Sequence, residues 1–312
     1  MTVQTHSPAV FGKVAVAVGG ISAERAVSLN SGQAVLSALR AQGIDAHGVD
    51  LTPDSLHQLD HSFDRVFNLL HGRWGEDGTV QGYWDSIGLP YTGSGVLGCA
   101  LAMDKITTKR VWQALSLPTA AFAVVEQADQ LKEVASQLGW PIFVKPAQEG
   151  SSVGVGKASS MDELRALYEA AAQLGGAVMV EQYIAGAELT VAVLEGNALP
   201  VVKMTTSNEF YDYHAKYESD ETQYECPAEL PESLTQRLQA LSVEAFDALQ
   251  CSGWGRVDLM LDAAGEPLLL EVNTVPGMTD HSLVPMAAQA IGISFEQLCV
   301  NVLATSLSQE GL

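Results

Sequence analysis

Apolar runs and amphipathic segments alternate along the chain and predict an α/β fold. Residues 13–18 form a buried-strand pattern that ends at a Gly-Gly pair. A helix capped by Ser22 should then begin at residues 23–25 and end near residue 40. This order is typical of the first unit of a doubly wound parallel sheet, whose ligands lie at the carboxyl ends of the strands. Glu24 falls in the first helical turn, where a carboxylate either complements the helix dipole or holds a substrate ammonium group.

A second strand pattern covers residues 65–70 and leads directly into the loop HGRWGEDG at residues 71–78. Three glycines with a histidine and two acids at a strand end favour a ligand-facing loop, so His71 is interpreted as functional rather than structural. A helix should follow through Trp84. Residues 103–105 open another helix that ends near residue 115, and Pro118 marks a domain boundary.

The middle of the chain predicts a compact α+β unit with strands at residues 119–125, 141–145 and 177–181 and helices at residues 128–138 and 161–173. Its loop EGSSVG, residues 149–154, has the small residues that let backbone N–H groups wrap a phosphate. A plain flexible turn is the alternative. Lys145 ends the preceding strand and could reach the same phosphates, which favours the binding interpretation.

After a hinge at residues 182–186, a hairpin is predicted from residues 188–195 and 198–204. Residues 207–227 are long, polar and aromatic without a regular period, which favours a functional lid over disorder. A helix at residues 231–249 follows, and Ser282 and Ser294 should cap two closing helices.

Residues 254–277 predict a β-hairpin with a polar face. In a symmetric register Asp258 faces Glu271, Arg256 faces Asn273 and Leu261 faces Leu268, because side chains alternate between the faces of a strand. Opposed carboxylates repel unless a cation or a proton lies between them. Hard oxygen donors beside an arginine therefore indicate Mg²⁺ with a phosphorylated substrate; the alternative is an edge hairpin whose polar face meets water.

Composition narrows the function further. The 312 residues are 47% hydrophobic and carry a net charge of −21, which argues against binding to nucleic acid or to anionic membranes. The four cysteines are scattered without a C-x-x-C pair, so a disulfide framework or a zinc site is not expected and a reducing cytosol fits. The amino-terminal segment has no basic region or long apolar run that would predict export, so a cytoplasmic location is expected.

One motif is rejected. GSGVLG at residues 93–98 matches G-x-G-x-x-G, but it lies late in the first domain and no acidic residue follows about twenty positions on. This match would be the sole support for the hypothesis that the protein is a nicotinamide-dependent oxidoreductase. A non-catalytic amino-acid binding protein would explain the first domain but not the opposed acids or the phosphate loop.

Eight segments, in order along nearly the whole chain, resemble the blocks of the D-alanine–D-alanine ligase family within the ATP-grasp superfamily. They read GGISAERAVSLNSG, HGRWGEDGTVQG, MDK, VKPAQEGSSVG, FYDYHAKY, GWGRVDLML, EVNTVPGMT and HSLVPMAA. The resemblance implies an α/β protein of three domains, with a doubly wound parallel sheet at the amino terminus and two α+β domains that clasp ATP. The implied domains are residues 1–104, 105–184 and 185–312, with the lid at residues 207–227 in the last.

The resemblance also assigns residues to ATP and metal. ATP would contact Lys105, Phe143, Lys145, Ser151, Ser152, Val153, Glu181, Gln182, Tyr183, Ile184, Glu188, Phe210, Lys216 and Leu270. Two Mg²⁺ ions, with Mn²⁺ as an alternative, would be bound by Asp258, Glu271 and Asn273.

For the amino-acid substrates, the family implies binding by Glu24, His71, Tyr217, Arg256, Gly277, Ser282 and Leu283. The residues implied in catalysis are Glu24, Ser151, Lys216, Tyr217, Arg256 and Gly277. The implied reaction joins two D-alanines through an acyl phosphate for peptidoglycan precursor synthesis, in a cytoplasmic homodimer without nucleic-acid or membrane partners. A D-alanine–D-lactate or D-serine ligase, disfavoured by the Lys216-Tyr217 pair, and another ATP-grasp carboxylate–amine ligase remain the alternatives.

Overall fold

The computed structural model describes residues 6–147, 154–205, 222–279 and 282–309, and the strands in those ranges form three sheets. The first sheet is parallel and the other two are antiparallel. Short 3₁₀ helices occur between the main elements, at Pro8–Phe11, Pro53–Gln58, Ala128–Gln130 and Thr305–Gln309.

The first sheet has the order β2-β1-β3 and consists of β1 (Lys13–Gly19), β2 (Asp45–Leu51) and β3 (Arg65–Asn68). Its helices are α1 (Arg25–Ala41), α2 (Thr79–Ser86) and α3 (Val96–Met103). The parallel pairing confirms the predicted doubly wound unit. Strand β2 escaped prediction because polar and small residues interrupt its apolar positions, and α3 was likewise missed.

The start of α1 corrects one prediction. Glu24, not Ser22, occupies the N-cap position. The Ser22 hydroxyl instead accepts a hydrogen bond from the Glu24 N–H at 3.2 Å and donates one to the His71 carbonyl at 2.7 Å. Ser22 therefore joins the segments that follow β1 and β3, because these strands are neighbours in the sheet.

The second sheet has the order β4-β7-β5-β6, with β4 (Phe122–Val125), β5 (Ile142–Pro146), β6 (Gly156–Ala158) and β7 (Val178–Gln182). Helices α4 (Lys105–Ala114), α5 (Leu131–Leu138) and α6 (Met161–Gln173) belong to this part of the chain. Asp104 caps α4 by accepting the Thr107 N–H at 2.8 Å. The predicted bounds of α6 are confirmed, whereas the predicted helix from residue 128 is α-helical only from Leu131, because residues 128–130 form a 3₁₀ turn.

The third sheet has the order β11-β10-β8-β12-β13, with β9 paired to β8. Its strands are β8 (Ala187–Leu194), β9 (Asn197–Ala198), β10 (Val202–Thr205), β11 (Gln223–Glu225), β12 (Trp254–Leu261) and β13 (Pro267–Asn273). Helix α7 (Glu232–Ala248) packs on this sheet, and α8 (Leu283–Ala290) and α9 (Phe295–Ala304) follow it. Strand β11 lies in the predicted lid, so residues 223–225 are regular where an irregular segment was expected.

The hydrophobic core does not follow the order of the chain. Phe11 and Val14 from the first sheet share one buried cluster with Leu194 from the third sheet and with Leu298 and Leu303 from α9. The second sheet has a buried cluster of its own, which includes Ile142, Val144 and Val180. The division into domains at residues 104/105 and 184/185 stays a prediction.

Across the described ranges, no single helix is long and apolar enough to cross a membrane. One bent pair, α8 together with residues 295–308, meets the length and composition criteria jointly.

The glycines of residues 93–98 have packing roles. Gly93 adopts a φ of +93°, and Gly95 is the N-cap of α3. A Cβ on Gly98 would lie 2.6 Å from the Gln250 carbonyl oxygen and 3.1 Å from the Cys251 Cα. The last glycine of the motif thus permits close contact between α3 and the turn after α7.

Gly98→Ala should therefore destabilise the protein by about 1–3 kcal/mol, because backbone atoms must move to admit the methyl group. The matched control is Gly82→Ala in α2, where the nearest atom to a new Cβ is a Val96 methyl at an ordinary 3.7 Å. Denaturant unfolding of both variants measures the difference. Equal free energies of unfolding for the two variants would show that the backbone beside Gly98 moves aside at little cost.

Candidate active site

The hairpin of β12 and β13 has the predicted register in the half that lies away from its turn. Asp258 pairs with Glu271 and Arg256 with Asn273. A β-bulge follows Asp258, so Leu261 pairs with Pro267 and the predicted pairing of Leu261 with Leu268 is wrong. The extra residue is Leu270, which is partly exposed together with Glu271.

The two facing carboxylates are each compensated by a cation. Arg256 donates to both oxygens of Asp258, from Nε at 2.8 Å and Nη2 at 2.7 Å. Thr190 Oγ1 and Asn273 Nδ2 also donate to Asp258, at 2.6 and 3.0 Å. Glu271 pairs with the Lys105 ammonium group at 3.2 Å. The polar face of the hairpin is thus turned toward α4 and β8 and not only toward water.

A second charged cluster lies on the four-stranded sheet. The Lys145 Nζ lies 2.6 Å from Glu181 Oε1, and the Lys109 Nζ lies 2.6 Å from Glu181 Oε2. Burial alone would raise the pKa of Glu181, but the two ammonium groups dominate and lower it to about 2. Burial would lower the pKa of Lys145, but the charge and hydrogen bond of Glu181, with smaller effects of the charges of Glu271 and Glu188, raise it. The residues predicted to handle phosphate are therefore close enough to influence one another.

Several residues predicted for the adenine site lie next to this cluster in the sheet or follow it directly in the chain. Phe143 is the register partner of Glu181, and its ring centroid lies 6.1 Å from that of Tyr183. Gln182 ends β7, and Tyr183 and Ile184 follow it as partly buried residues before β8. The Glu181 carboxylate is bound to two lysines. Only the backbone of Glu181 is therefore left for the nucleotide contact that was predicted for residues 181–184. Their contact with a nucleotide stays a prediction.

A cavity of about 1470 Å³ joins the first sheet, α4 and the hairpin. Its lining includes the predicted residues Glu24, His71, Lys105, Arg256, Glu271, Asn273, Gly277, Ser282 and Leu283. Glu24 and His71 meet here because they follow adjacent parallel strands. Ser282 is the N-cap of α8 as predicted, so the start of that helix faces the same cavity.

His71 is buried, and its Nε2 has no hydrogen-bond partner among the residues that the structure describes. Burial lowers the pKa of this imidazole, although Glu24 and the Val275 backbone act in the opposite direction. A neutral ring with a nitrogen left for a ligand suits the recognition of a polar substrate.

Glu76 is a site residue that the sequence did not single out. Its Oε2 accepts the Gly72 N–H at 2.6 Å, and its Oε1 accepts the Val275 N–H at 3.0 Å. Burial and the charge of Glu24 raise the pKa of Glu76 to about 8 despite these donors. One carboxyl group thus joins the loop after β3 to the loop after β13. Its position in an acid-rich, ligand-facing loop was the available signal, but nothing in the sequence showed which distant amide it would meet.

Six predicted site residues lie outside the described ranges: Ser151, Ser152, Val153, Phe210, Lys216 and Tyr217. Within those ranges, no three His, Cys, Asp or Glu side chains form a candidate metal-ligand group. The predicted metal set has only two carboxylates together with the amide of Asn273, so it does not fall in that class.

Family models for the two parts of D-Ala–D-Ala ligases match this chain, the N-terminal model over residues 45–94 and the C-terminal model over residues 111–304. A D-alanine–D-alanine ligase of Pseudoalteromonas atlantica is 52% identical over 97% of this chain and 98% of its own length. That of Aromatoleum aromaticum is 54% identical over 95% and 96%. The chain belongs to the D-alanine–D-alanine ligase family.

Solved structures agree on the fold. The D-alanine–D-alanine ligase of Bacillus anthracis in complex with ATP superposes with a TM-score of 0.84 at 35% identity, over 95% of this chain and 97% of that one. The VanG D-Ala:D-Ser ligase of Enterococcus faecalis gives 0.83 at 30% identity, over 94% and 99%. The predicted ATP-grasp architecture is confirmed, and ligases of both substrate types share it.

The contacts of Glu76 lead to a prediction about the ligase-family scaffold. In Glu76→Gln an NH₂ group replaces one acceptor oxygen, so one buried backbone N–H loses its partner at a cost of about 1–3 kcal/mol. The amide that loses its acceptor, that of Gly72 or that of Val275, should exchange with deuterium faster than in the wild type. Glu133→Gln, at an exposed position on α5, is the control. Unchanged exchange at both amides would mean that Glu76 does not join the two loops.

Proposed function

We propose that this chain joins two D-alanine molecules to D-alanyl-D-alanine while ATP is converted to ADP and phosphate. The observation that carries the proposal is the 52% identity to a D-alanine–D-alanine ligase over 97% of the chain. The site agrees with it, because the cavity lining combines a carboxylate for an ammonium group, Glu24, a lysine for phosphates, Lys105, and an arginine, Arg256. The similarity to a D-Ala:D-Ser ligase is lower, at 30% identity.

The first half of the reaction activates a carboxylate, which by itself is a poor acylating agent. In the proposed binding mode, Glu24 pairs with the ammonium group of the first D-alanine and His71 Nε2 forms a hydrogen bond to it. The carboxylate of the first D-alanine then attacks the γ-phosphorus of ATP, and an acyl phosphate and ADP form. Lys105 and Lys145 stabilise the charge that moves between the phosphates, which is the main requirement of phosphoryl transfer.

In the second half the amine of the other D-alanine attacks the acyl phosphate. Ser282, Leu283 and the start of α8 bind its carboxylate, because free N–H groups at a helix start favour an anion. Arg256 and the Gly277 N–H stabilise the tetrahedral oxyanion, and phosphate leaves as the amide forms.

Mg²⁺ fits the donor chemistry of the hairpin, since Asp258, Glu271 and Asn273 present hard oxygen atoms on one face of a rigid sheet. These three residues would hold the metal, which supplies charge neutralisation for the triphosphate. Lys105 is paired with Glu271 and Arg256 with Asp258. Each carboxylate would contact the ion in addition to its cationic side chain.

The remaining assignments complete the proposal. Ser151, Ser152 and Val153 close over the phosphates, Phe143, Phe210 and Leu270 enclose the adenine beside Glu181–Ile184, and Glu188 binds the ribose. Lys216 lies near the γ-phosphate, and Tyr217 with Ser151 connects the lid at residues 207–227 to Glu24. Closure of that lid protects the acyl phosphate from water. We further propose that the enzyme works as a cytoplasmic homodimer with its domains divided at residues 104/105 and 184/185, for peptidoglycan precursor synthesis.

The reaction is tested directly by phosphate release from Mg-ATP with D-alanine, with L-alanine, and with D-alanine plus D-lactate or D-serine. We expect release that requires D-alanine and a product with the mass of the D-alanine dipeptide. Preferential formation of a mixed product would replace the proposed second substrate. Absence of release in the presence of bound ATP would direct the search to other acid–amine pairs.

Arg256→Ala should lower kcat by about 10²–10³-fold, because one oxyanion donor is lost, with a much smaller effect on the KM for ATP. Since Asp258 also loses its bidentate partner, the folded fraction of the variant is checked by thermal unfolding. Arg237→Ala removes a similar ion pair at the surface and serves as the control. Turnover equal to that of the control would remove Arg256 from the chemistry.

A further inference from the structure

Lys109 is a buried cation that the proposed mechanism does not use. It lies in the middle of α4 with no solvent exposure, and its ammonium group binds Glu181 Oε2 at 2.6 Å. A buried lysine is costly unless it is paired, so the contact with Glu181 is a requirement for its burial as a charge.

Glu181 lies between two cations. Lys145 binds its other oxygen at the same distance, 2.6 Å. The flanking strands contribute the register partners Phe122 and Phe143, and each lysine lies over one of these rings: Lys109 at 5.3 Å from the Phe122 centroid and Lys145 at 5.2 Å from that of Phe143. The three groups thus lie side by side next to the sheet, and with both lysines protonated they carry one net positive charge. Burial lowers the pKa of Lys109, and the charge and hydrogen bond of Glu181 act against this effect.

Helix α4 connects these three groups to the acid hairpin. Lys105 lies one turn before Lys109 and pairs with Glu271 of β13, while Lys109 pairs with Glu181 of β7. Residues four apart lie on the same face of a helix. One helical face therefore carries two lysines, each bound to a carboxylate from a different sheet.

The charge balance determines what Lys145 can do. If Glu181 had Lys145 as its sole partner, moving that ammonium group to a phosphate would leave a buried carboxylate uncompensated, which is strongly unfavourable. With Lys109 in place, Glu181 keeps a cation when Lys145 leaves. The positive charge of the Lys145 ammonium group is then available to an anionic ligand.

On the basis of the proposed function, we propose that Lys109 is a positioning residue for nucleotide binding. It compensates Glu181, so that Lys145 can exchange this carboxylate for the phosphates of ATP. Lys109 touches no substrate in this scheme and acts through Glu181 and Lys145.

The experiment measures the affinities of ATP and of adenosine for the full chain in the presence of Mg²⁺ by titration calorimetry. In Lys109→Met we expect ATP to bind about tenfold or more weakly, because a charge-assisted contact to phosphate is impaired. Adenosine, which has no phosphate, should bind as it does to the wild type. Lys109→Arg should restore most of the ATP affinity. The control is Lys132→Met on α5, which removes an exposed lysine.

A double variant, Lys109→Met with Glu181→Gln, decides the case if the single variant does not fold. Because Lys145 then has no carboxylate to leave, ATP affinity should return to within about threefold of the wild type while replacement of a buried ion pair keeps the fold. Equal ATP affinity in wild type and Lys109→Met would overturn the proposal. So would an equal loss of affinity for ATP and for adenosine, or a double variant that binds ATP about tenfold or more weakly than the wild type. If the wild type itself bound no ATP, the proposed function would fail instead.

Discussion

Two carboxylates, Asp258 and Glu271, stand directly opposite each other on neighbouring strands, and much of the cleft is arranged around their charge. Like charges in this geometry destabilise a sheet unless cations approach them. Arg256 reaches Asp258 along its own strand, whereas Lys105 must come to Glu271 from α4. The need to neutralise the hairpin therefore helps to fix the position of α4, and with it the second lysine on that helix.

The same principle operates away from the hairpin with different partners. Glu181 is neutralised by ammonium groups, which lower its pKa, while Glu76 accepts backbone N–H groups and has a raised pKa because burial and Glu24 prevail. Glu181 thus stays an anion that cations can share. Glu76 instead connects two loops that are 199 residues apart in sequence. Of these two buried acids, Glu181 is a partner for cations and Glu76 connects two loops.

Local patterns predicted much of this protein. The bounds of α6, the parallel first sheet and the pairing of Asp258 with Glu271 followed from periodicity and strand alternation. The bulge at Leu270 did not, because Leu268, Leu269 and Leu270 are consecutive apolar residues and show no alternation in which a change of phase could be recognised. Glu76 and Lys109 could not be assigned from sequence, since their roles depend on partners in other elements. The roles of Ser151 and Tyr217 rest on family resemblance alone.

The shared core of the first sheet and α9 also bears on the order in which the chain folds during synthesis. Phe11 and Val14 are translated long before Leu298 and Leu303, yet the four residues pack in one cluster. The buried Arg65 likewise donates to Ser306 Oγ at 3.1 Å. Domains generally fold as units from the amino terminus during translation, but this first sheet keeps an apolar surface uncovered until α9 has been made. The nascent first sheet therefore lacks this packing partner, and needs protection from aggregation, until α9 has been translated.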